Sequence, residues 1–373
     1  MSGEVRQRFA KDQHAGSLIE VEYGSKDAAY GGDKAAEPEE REEVVPVRGQ
    51  LAVSKVDLYT ICASGALLVA LSVGFLRQAA WCDKFLRLQY ASTDSPGKYD
   101  IGIDDAYIVG TFVVVLCLVR STLLEFVLKP LAHYRFRIRS AKIQQRYGEQ
   151  SWSMLYYTVS WLVGFCLYYR SPYFLNCDHI YMNWPHDRMS GVFKVYYLVQ
   201  IASWLQQIIV LNVEEKRKDY WQMFAHHIIT VALTTGSYYY YFNRIGHVIL
   251  IIMDVVDILL SAAKILKYCG FSVACDYMFV IFLCFWVVLR HGVYNYILHH
   301  TWAKSRDLMQ DQRCGVHTPG TRCWTPLVID IFVLLLAGLQ VITVIWSFLI
   351  VKVFMKVIRG SGAEDVRSDD EED

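Results

Sequence analysis

The chain has 373 residues, 54% of them hydrophobic, and its 37 Lys and Arg balance 37 Asp and Glu to a formal net charge of zero. A mean hydropathy of +0.23 beside 20% charged residues requires the charge to be segregated into ends and loops, leaving long apolar runs. Ten cysteines without a CxxC pair exclude a zinc ribbon or a redox motif, and there is no Gly-rich phosphate loop or GxSxG elbow.

Residues 1–50 are rich in Glu, Lys, Gly and Ala, with EPEEREE at 37–43, and read as a disordered cytosolic segment. They lack the basic stretch and apolar core of a cleavable signal peptide. Eight apolar spans follow, at 58–76, 105–128, 152–169, 191–213, 222–241, 246–266, 272–298 and 327–351. Their length predicts transmembrane helices and an all-α polytopic membrane protein. Arg120 and Glu125 interrupt the second span and are expected at its cytosolic end; the third is short, so its neighbours must help bury it. Residues 51–140 then hold two N-terminal spans and a basic loop, 141–355 form the main domain, and 356–373 are an acidic cytosolic tail.

Loop charge sets the expected orientation. Lys129–Arg146 holds six Lys/Arg residues; Lys216, Arg217 and Lys218, then Lys264 and Lys267, then Lys352, Lys356 and Arg359 fall on the same side. That side is read as cytosolic, together with both termini. Loops 77–104 and 299–326 carry four Lys/Arg each and lie opposite. In the tail, Ser361 and Ser368 each have an acid three residues on, the pattern an acid-directed kinase prefers, although a merely solvated acidic tail explains it as well.

The stretch from Lys218 to Tyr268 carries four ionisable residues in two neighbouring apolar spans: His226 and His227 in the first, Asp254 and Asp257 in the second. Such residues are costly in a membrane and usually functional. A turn near Asn243–Gly246 makes the two spans antiparallel. Counted from their shared basic end, His227 lies ~13 Å and Asp257 ~15 Å along the helix rise, hence at similar depth. The acids, three apart, share a face. The adjacent histidines diverge by about 100°, so at most one faces the acids. The same adjacency argues against zinc, whose helical histidine ligands stand four apart; a structural hydrogen-bonded pair is the other bland reading.

Arg290 and His291 sit within the seventh span. Arg290 either snorkels to the lumenal interface or meets a polar substrate head. His299–His300 falls where that span leaves the membrane and suits interface packing. Cys314 and Cys323 share the next loop, which leaves a disulfide open. Histidine as base or nucleophile, with a carboxylate to orient it, fits acyl transfer or hydrolysis on a lipid. The residues alone stop there, with a lipid or ion pathway as the alternative.

KIQQRYGEQSWSMLYYTVSW at 142–161, NWP at 183–185, GVFKVYYLVQIASWLQQ at 191–207, KDYWQMFAHHIIT at 218–230 and MDVVDILLSAAKILKY at 253–268 resemble the Lag motif and flanks of ceramide synthases, fungal members of the TLC-domain family above all. The similarity runs from about 55 to 355. Met253 stands where many animal members have a histidine, and their homeobox-like segment is missing. The resemblance implies transfer of a fatty acyl group from acyl-CoA to a sphingoid base, with no cofactor. It also implies an endoplasmic-reticulum membrane, a helical barrel from six of the spans, a homo- or heterodimer, and a small single-span accessory subunit. By motif position His226, His227, Asp254 and Asp257 carry over as the active-site set, with His227 as acyl acceptor and His226 in support. The loop 299–326 carries over as the region linked to acyl length. A non-catalytic lipid sensor, or a duplicated copy protecting against a sphinganine-analogue toxin, is the alternative.

Overall fold

The computed structural model describes residues 53–214, 219–315 and 322–358. The segment 1–50, Ser361 and Ser368, and Lys216, Arg217 and Lys218 lie outside the described residues. Among the described residues eight helices have 20 residues or more: α1 (Lys55–Leu76), α3 (Asp105–Arg135), α4 (Ala141–Tyr169), α5 (Gly191–Val213), α6 (Tyr220–Tyr239), α7 (Asn243–Tyr268), α8 (Ser272–Leu308) and α9 (Pro326–Ile358), with a short α2 (Ala80–Leu86) after the first. Side chains start some of them. Ser54 accepts from the Asp57 N–H at 3.2 Å and Ser190 from the Phe193 N–H at 3.3 Å, each satisfying a donor that the first helical turn leaves open. One two-residue antiparallel pair, β1 (Lys98–Tyr99) with β2 (Met189–Ser190), is the only sheet among the described residues.

Helices α1, α3, α8 and α9 are long and apolar enough to cross a membrane, and the chain is a multi-pass membrane protein. Helices α4 to α7 are 20 to 29 residues long. They are less apolar because their helix–helix seams bury polar side chains, including Ser160, Gln200, His227 and Asp254.

Three expectations need correction. Arg120 and Glu125 do not interrupt the second span: the helix continues through a π-helical turn at Leu124–Leu128. Their charges are buried against α1, where Arg120 pairs with Asp57 at 3.5 Å and with Glu214, and Lys129 with Glu125. The third span is not short, since α4 covers 29 residues. Its polar first turns escape a hydropathy reading, yet Gln144, Tyr147, Gly148 and Ser151 are buried. The turn between α6 and α7 falls at Tyr240–Phe242, not at Asn243–Gly246. The polar residues that suggested a turn serve tertiary contacts in the first turn of α7. Arg244 donates to the His179 carbonyl at 2.7 Å, and a Cβ at Gly246 would run into the Tyr197 hydroxyl.

The loops gather at two ends. At one, Arg322 before α9 donates to both oxygens of Asp100 at 3.0 and 2.7 Å, the Tyr241 hydroxyl donates to Asp100 at 3.3 Å, and Cys314 is disulfide-bonded to Cys323. His300 near the end of α8 is buried, stacked on Tyr181 and 2.7 Å from Asp178, so it packs as expected. At the other end Ala132, Ile138 and Tyr147 pack with Ile265, Tyr268 and Cys269. This grouping matches the alternation of loop charge.

Candidate active site

Helix α6 carries His226 and His227, and α7 runs back beside it with Asp254 and Asp257. A third element completes the site. Helix α8 widens into a π-helical stretch at Trp286–Val293, and Arg290 lies within it. Wide turns of this kind are common at functional sites. Here the turn is fastened to α9. The Trp286 indole donates to the Ser347 hydroxyl at 2.9 Å, His291 Nε2 lies 2.7 Å from the same hydroxyl, and the Gln340 amide lies 2.9 Å from His291 Nδ1.

Arg290 is 3% exposed and points inward. Its guanidinium donates to Asp257 Oδ1 at 2.6 Å and packs over the Trp286 ring. Snorkelling does not describe it: the side chain turns inward to a carboxylate of matching depth and lines the cavities where a substrate head would lie. Asp254 is used differently. It accepts from the Ser160 hydroxyl at 2.7 Å in the seam of α4, α5 and α7, where Gln200 also donates to Ser160. The expectation that a carboxylate orients an imidazole is corrected accordingly: among the described residues no acid reaches His226 or His227, and the Nδ1 atoms of both lack a hydrogen-bond partner. The rings stand 5.5 Å apart, and Trp204 lies 5.4 Å from His226 and 5.5 Å from His227.

Two cavities meet at this point. The larger, about 350 Å³, opens towards the basic end of the bundle, where Arg146, Lys264 and Lys267 line it. The smaller, about 70 Å³, runs the other way between Leu233, Phe242, Ile249, Leu336 and their neighbours. Trp204, His226, Asp257 and Arg290 line both cavities; His227 lines the larger one alone, and Asp254 lines neither. The structure thus brings His226, His227, Asp257 and Arg290 to one wall and sets Asp254 behind it.

A vestibule whose wall carries Arg146, Lys264 and Lys267 together with Glu149, Glu214 and Asp219, joined through histidines to an apolar slot, suits a substrate with a charged head and a fatty tail. The comparisons with known proteins agree. A TLC domain matches residues 146–352. Sphingosine N-acyltransferase lag1 of Schizosaccharomyces pombe is 38% identical over 291 residues, covering 78% of this chain and 73% of the relative. Sphingosine N-acyltransferase-like protein ALT7 of Alternaria alternata is 37% identical over 74% of this chain and 69% of its own length. Ceramide synthase LAG1 of Saccharomyces cerevisiae is 33% identical over 78% and 70%.

This chain belongs to the ceramide synthase family of TLC-domain proteins.

Within this ceramide synthase fold, the matched domain covers residues 146–352, the stretch in which sequence pattern had picked out the charged set. What that pattern missed are the neutral partners of the charged set: Ser160 and Gln200 around Asp254, and Trp204 and Trp346 around the histidines, the latter 5.1 Å from His226. The signal available for the polar pair was a serine and a glutamine inside runs otherwise fit for lipid. For the tryptophans there was none, because aromatic residues are common in such helices.

Proposed function

We propose that this ceramide synthase family member is an acyl-CoA-dependent sphingosine N-acyltransferase, with its reaction centred where the two cavities meet. The observation that carries the reading is the shared wall of His226, Asp257, Arg290 and Trp204 between a vestibule lined by charged side chains and an apolar slot. The CoA head occupies the vestibule near Arg146, Lys264 and Lys267, the acyl chain enters the slot, and the thioester carbonyl lies at the junction. No cofactor is required, because the thioester arrives activated.

An imidazole nitrogen attacks the thioester carbon, the carbon–sulfur bond breaks, and CoA leaves with its sulfur protonated. The sphingoid amine then attacks the acyl-imidazole; Asp257 or the second histidine takes the proton the amine nitrogen loses and returns it to the departing imidazole nitrogen as the carbon–imidazole bond breaks. Motif position gave the acyl group to His227. The cavities favour His226, which lines both chambers and so stands where head and tail of the substrate divide. His227, beside the vestibule only, is placed to handle protons. Asp254 holds α4, α5 and α7 in register behind them.

The remaining parts of the reading are an endoplasmic-reticulum membrane crossed by all eight long helices, six of them forming a barrel, with both termini cytosolic. They extend to a dimer and a small single-span accessory subunit. The decisive assay supplies the purified protein with sphinganine and acyl-CoAs of several lengths and identifies the ceramides; no amide product from any of them overturns the reading. Orientation has its own test. A glycosylation acceptor placed between α8 and α9 becomes modified and one placed between α3 and α4 does not; the reverse pattern would put the vestibule on the wrong side for cytosolic acyl-CoA.

Thr301 and Ser305, both within 299–326, line the smaller cavity at the end away from the vestibule. Exchanging that segment for the one from a relative with another chain preference is expected to shift the ceramide profile without abolishing turnover. An unchanged profile in a fully active chimera would place the length gauge elsewhere.

A further inference from the structure

We infer that Tyr157, Ser203 and Gln207 form a subsite for a hydroxyl of the sphingoid base, one carried on a carbon next to the amine. The inference rests on the reading that this base is the acyl acceptor and that its amine meets Asp257. Sphingoid bases carry hydroxyls on both carbons that flank the amine-bearing one. Wherever the amine reacts, a hydroxyl therefore lies within hydrogen-bonding distance of it.

Helix phase puts the three side chains at the right level. Asp254, Ser160 and Gln200 meet in the seam of α7, α4 and α5. Three residues from them, towards the basic end of the bundle, stand Asp257 on α7, Tyr157 on α4 and Ser203 on α5. A step of three rises ~4.5 Å and keeps to the same helix face, so these residues share the next level. All three line the vestibule. Arg290 reaches Asp257 from α8, and Tyr157 comes to the same level from α4.

Apart from Arg290, the side chains that α8 and α9 add to the vestibule are apolar or aromatic, Phe279, Phe282, Leu349 and Ile350 among them. The hydroxyls of a bound base find little to bond there. On α5, Gln207 stands one turn beyond Ser203, also lines the vestibule, and joins the other two. The Tyr157 hydroxyl lies 3.4 Å from Gln207 Oε1, and Gln207 Nε2 lies 3.4 Å from the Ser203 hydroxyl. Well-formed bonds of these kinds measure ~2.7–3.0 Å, so the three groups hold one another loosely. Tyr157 and Gln207 are half-buried, not sealed off. The adjacent Tyr156 differs, since its hydroxyl donates to Gln200 at 3.2 Å in the seam. A ligand hydroxyl entering the row accepts from the Gln207 amide or the Tyr157 hydroxyl and donates to Gln207 Oε1. Ordinary hydrogen bonds then replace long ones. An amine without that hydroxyl leaves the row as it is.

The test uses purified full-length protein, one acyl-CoA, and two acceptors: sphinganine, and its analogue lacking both flanking hydroxyls. The reading is the ratio of kcat/KM for sphinganine to that for the analogue. Tyr157→Phe, which keeps the ring, and Gln207→Leu, which keeps the bulk, are each expected to lower the ratio about tenfold, the scale of one hydrogen bond. Tyr156→Phe, which removes a hydroxyl committed to the seam, should lower it less. If sphinganine is acylated and neither Tyr157→Phe nor Gln207→Leu moves the ratio, the hydroxyl subsite is wrong and the acyltransferase reading stands. If those variants instead raise KM for acyl-CoA alike with both acceptors, the row holds the amides of the pantetheine arm, and the inference is overturned. If the unmodified protein forms no amide with any acyl-CoA, the underlying reading fails, and the inference fails with it.

Discussion

Incubated with acyl-CoA alone, the protein is expected to gain the mass of one acyl chain, and His226→Ala is expected to abolish that gain together with N-acylation. The argument is one of space. Both substrates carry long chains, and the sphingoid amine is mostly protonated near neutral pH, with a pKa of ~10 by comparison with lysine. A covalent relay lets the two chains enter in turn. His226 is the imidazole that lines both cavities. Loss of such a group costs ~10²–10⁴-fold in rate. His227→Ala should keep the adduct but discharge it slowly when sphinganine is added, as expected for a residue that moves protons. Intact-mass spectrometry before and after sphinganine separates the cases. An adduct that survives His226→Ala and vanishes in His227→Ala returns the nucleophile to His227. No adduct at all, in a sample that makes ceramide when both substrates are present, removes the covalent step and leaves histidine as a base.

Asp257→Asn is expected to reduce turnover by at least ~10²-fold and to lower thermal stability as well. The second effect follows from Arg290. Removing one partner of a buried ion pair strands the other charge, at a cost of ~3–5 kcal/mol when burial is complete. The Asp257 side chain is 24% exposed to the cavity, so ~1–3 kcal/mol is expected here, discounted for that exposure. The double variant Asp257→Asn with Arg290→Gln removes the stranded charge and should recover the melting temperature. Activity should not return with it, because the carboxylate that meets the amine is still missing. Recovery of both would make the pair a structural fastening only; near-normal turnover in the single variant would end the proposed role of Asp257.

The helices were legible because lipid-facing runs of twenty or more apolar residues have few other uses, and the four ionisable residues stood out against that background. What failed to show was direction around each helix. Asp254 and Asp257, three residues apart, lie only ~60° from one another about the axis. That angle suffices to send one into a seam with Ser160 and the other to a cavity wall with Arg290. A period count cannot resolve it, since the outcome depends on where α4 and α8 press against α7. The turn after α6 was misplaced for a related reason. Asn243, Arg244 and Gly246 have turn-like composition, but each is used by a neighbouring segment while remaining helical.

The wide turn at Trp286–Val293 bears on how this protein can change through descent. A π-helical turn holds more residues than an α-helical one, so it shifts the phase of everything beyond it. Deleting a single residue there would restore a uniform helix and swing the rest of α8 by about 100°. Thr301 and Ser305 would leave the slot, and His300 would leave Tyr181. Substitutions in this stretch can be sampled one at a time, but a change of length by one cannot be, because it moves the floor of the slot and the wall of the reaction centre together. A change in the number of residues between Trp286 and Ser305 is therefore expected to disturb the protein more than most substitutions among the side chains that fill the stretch.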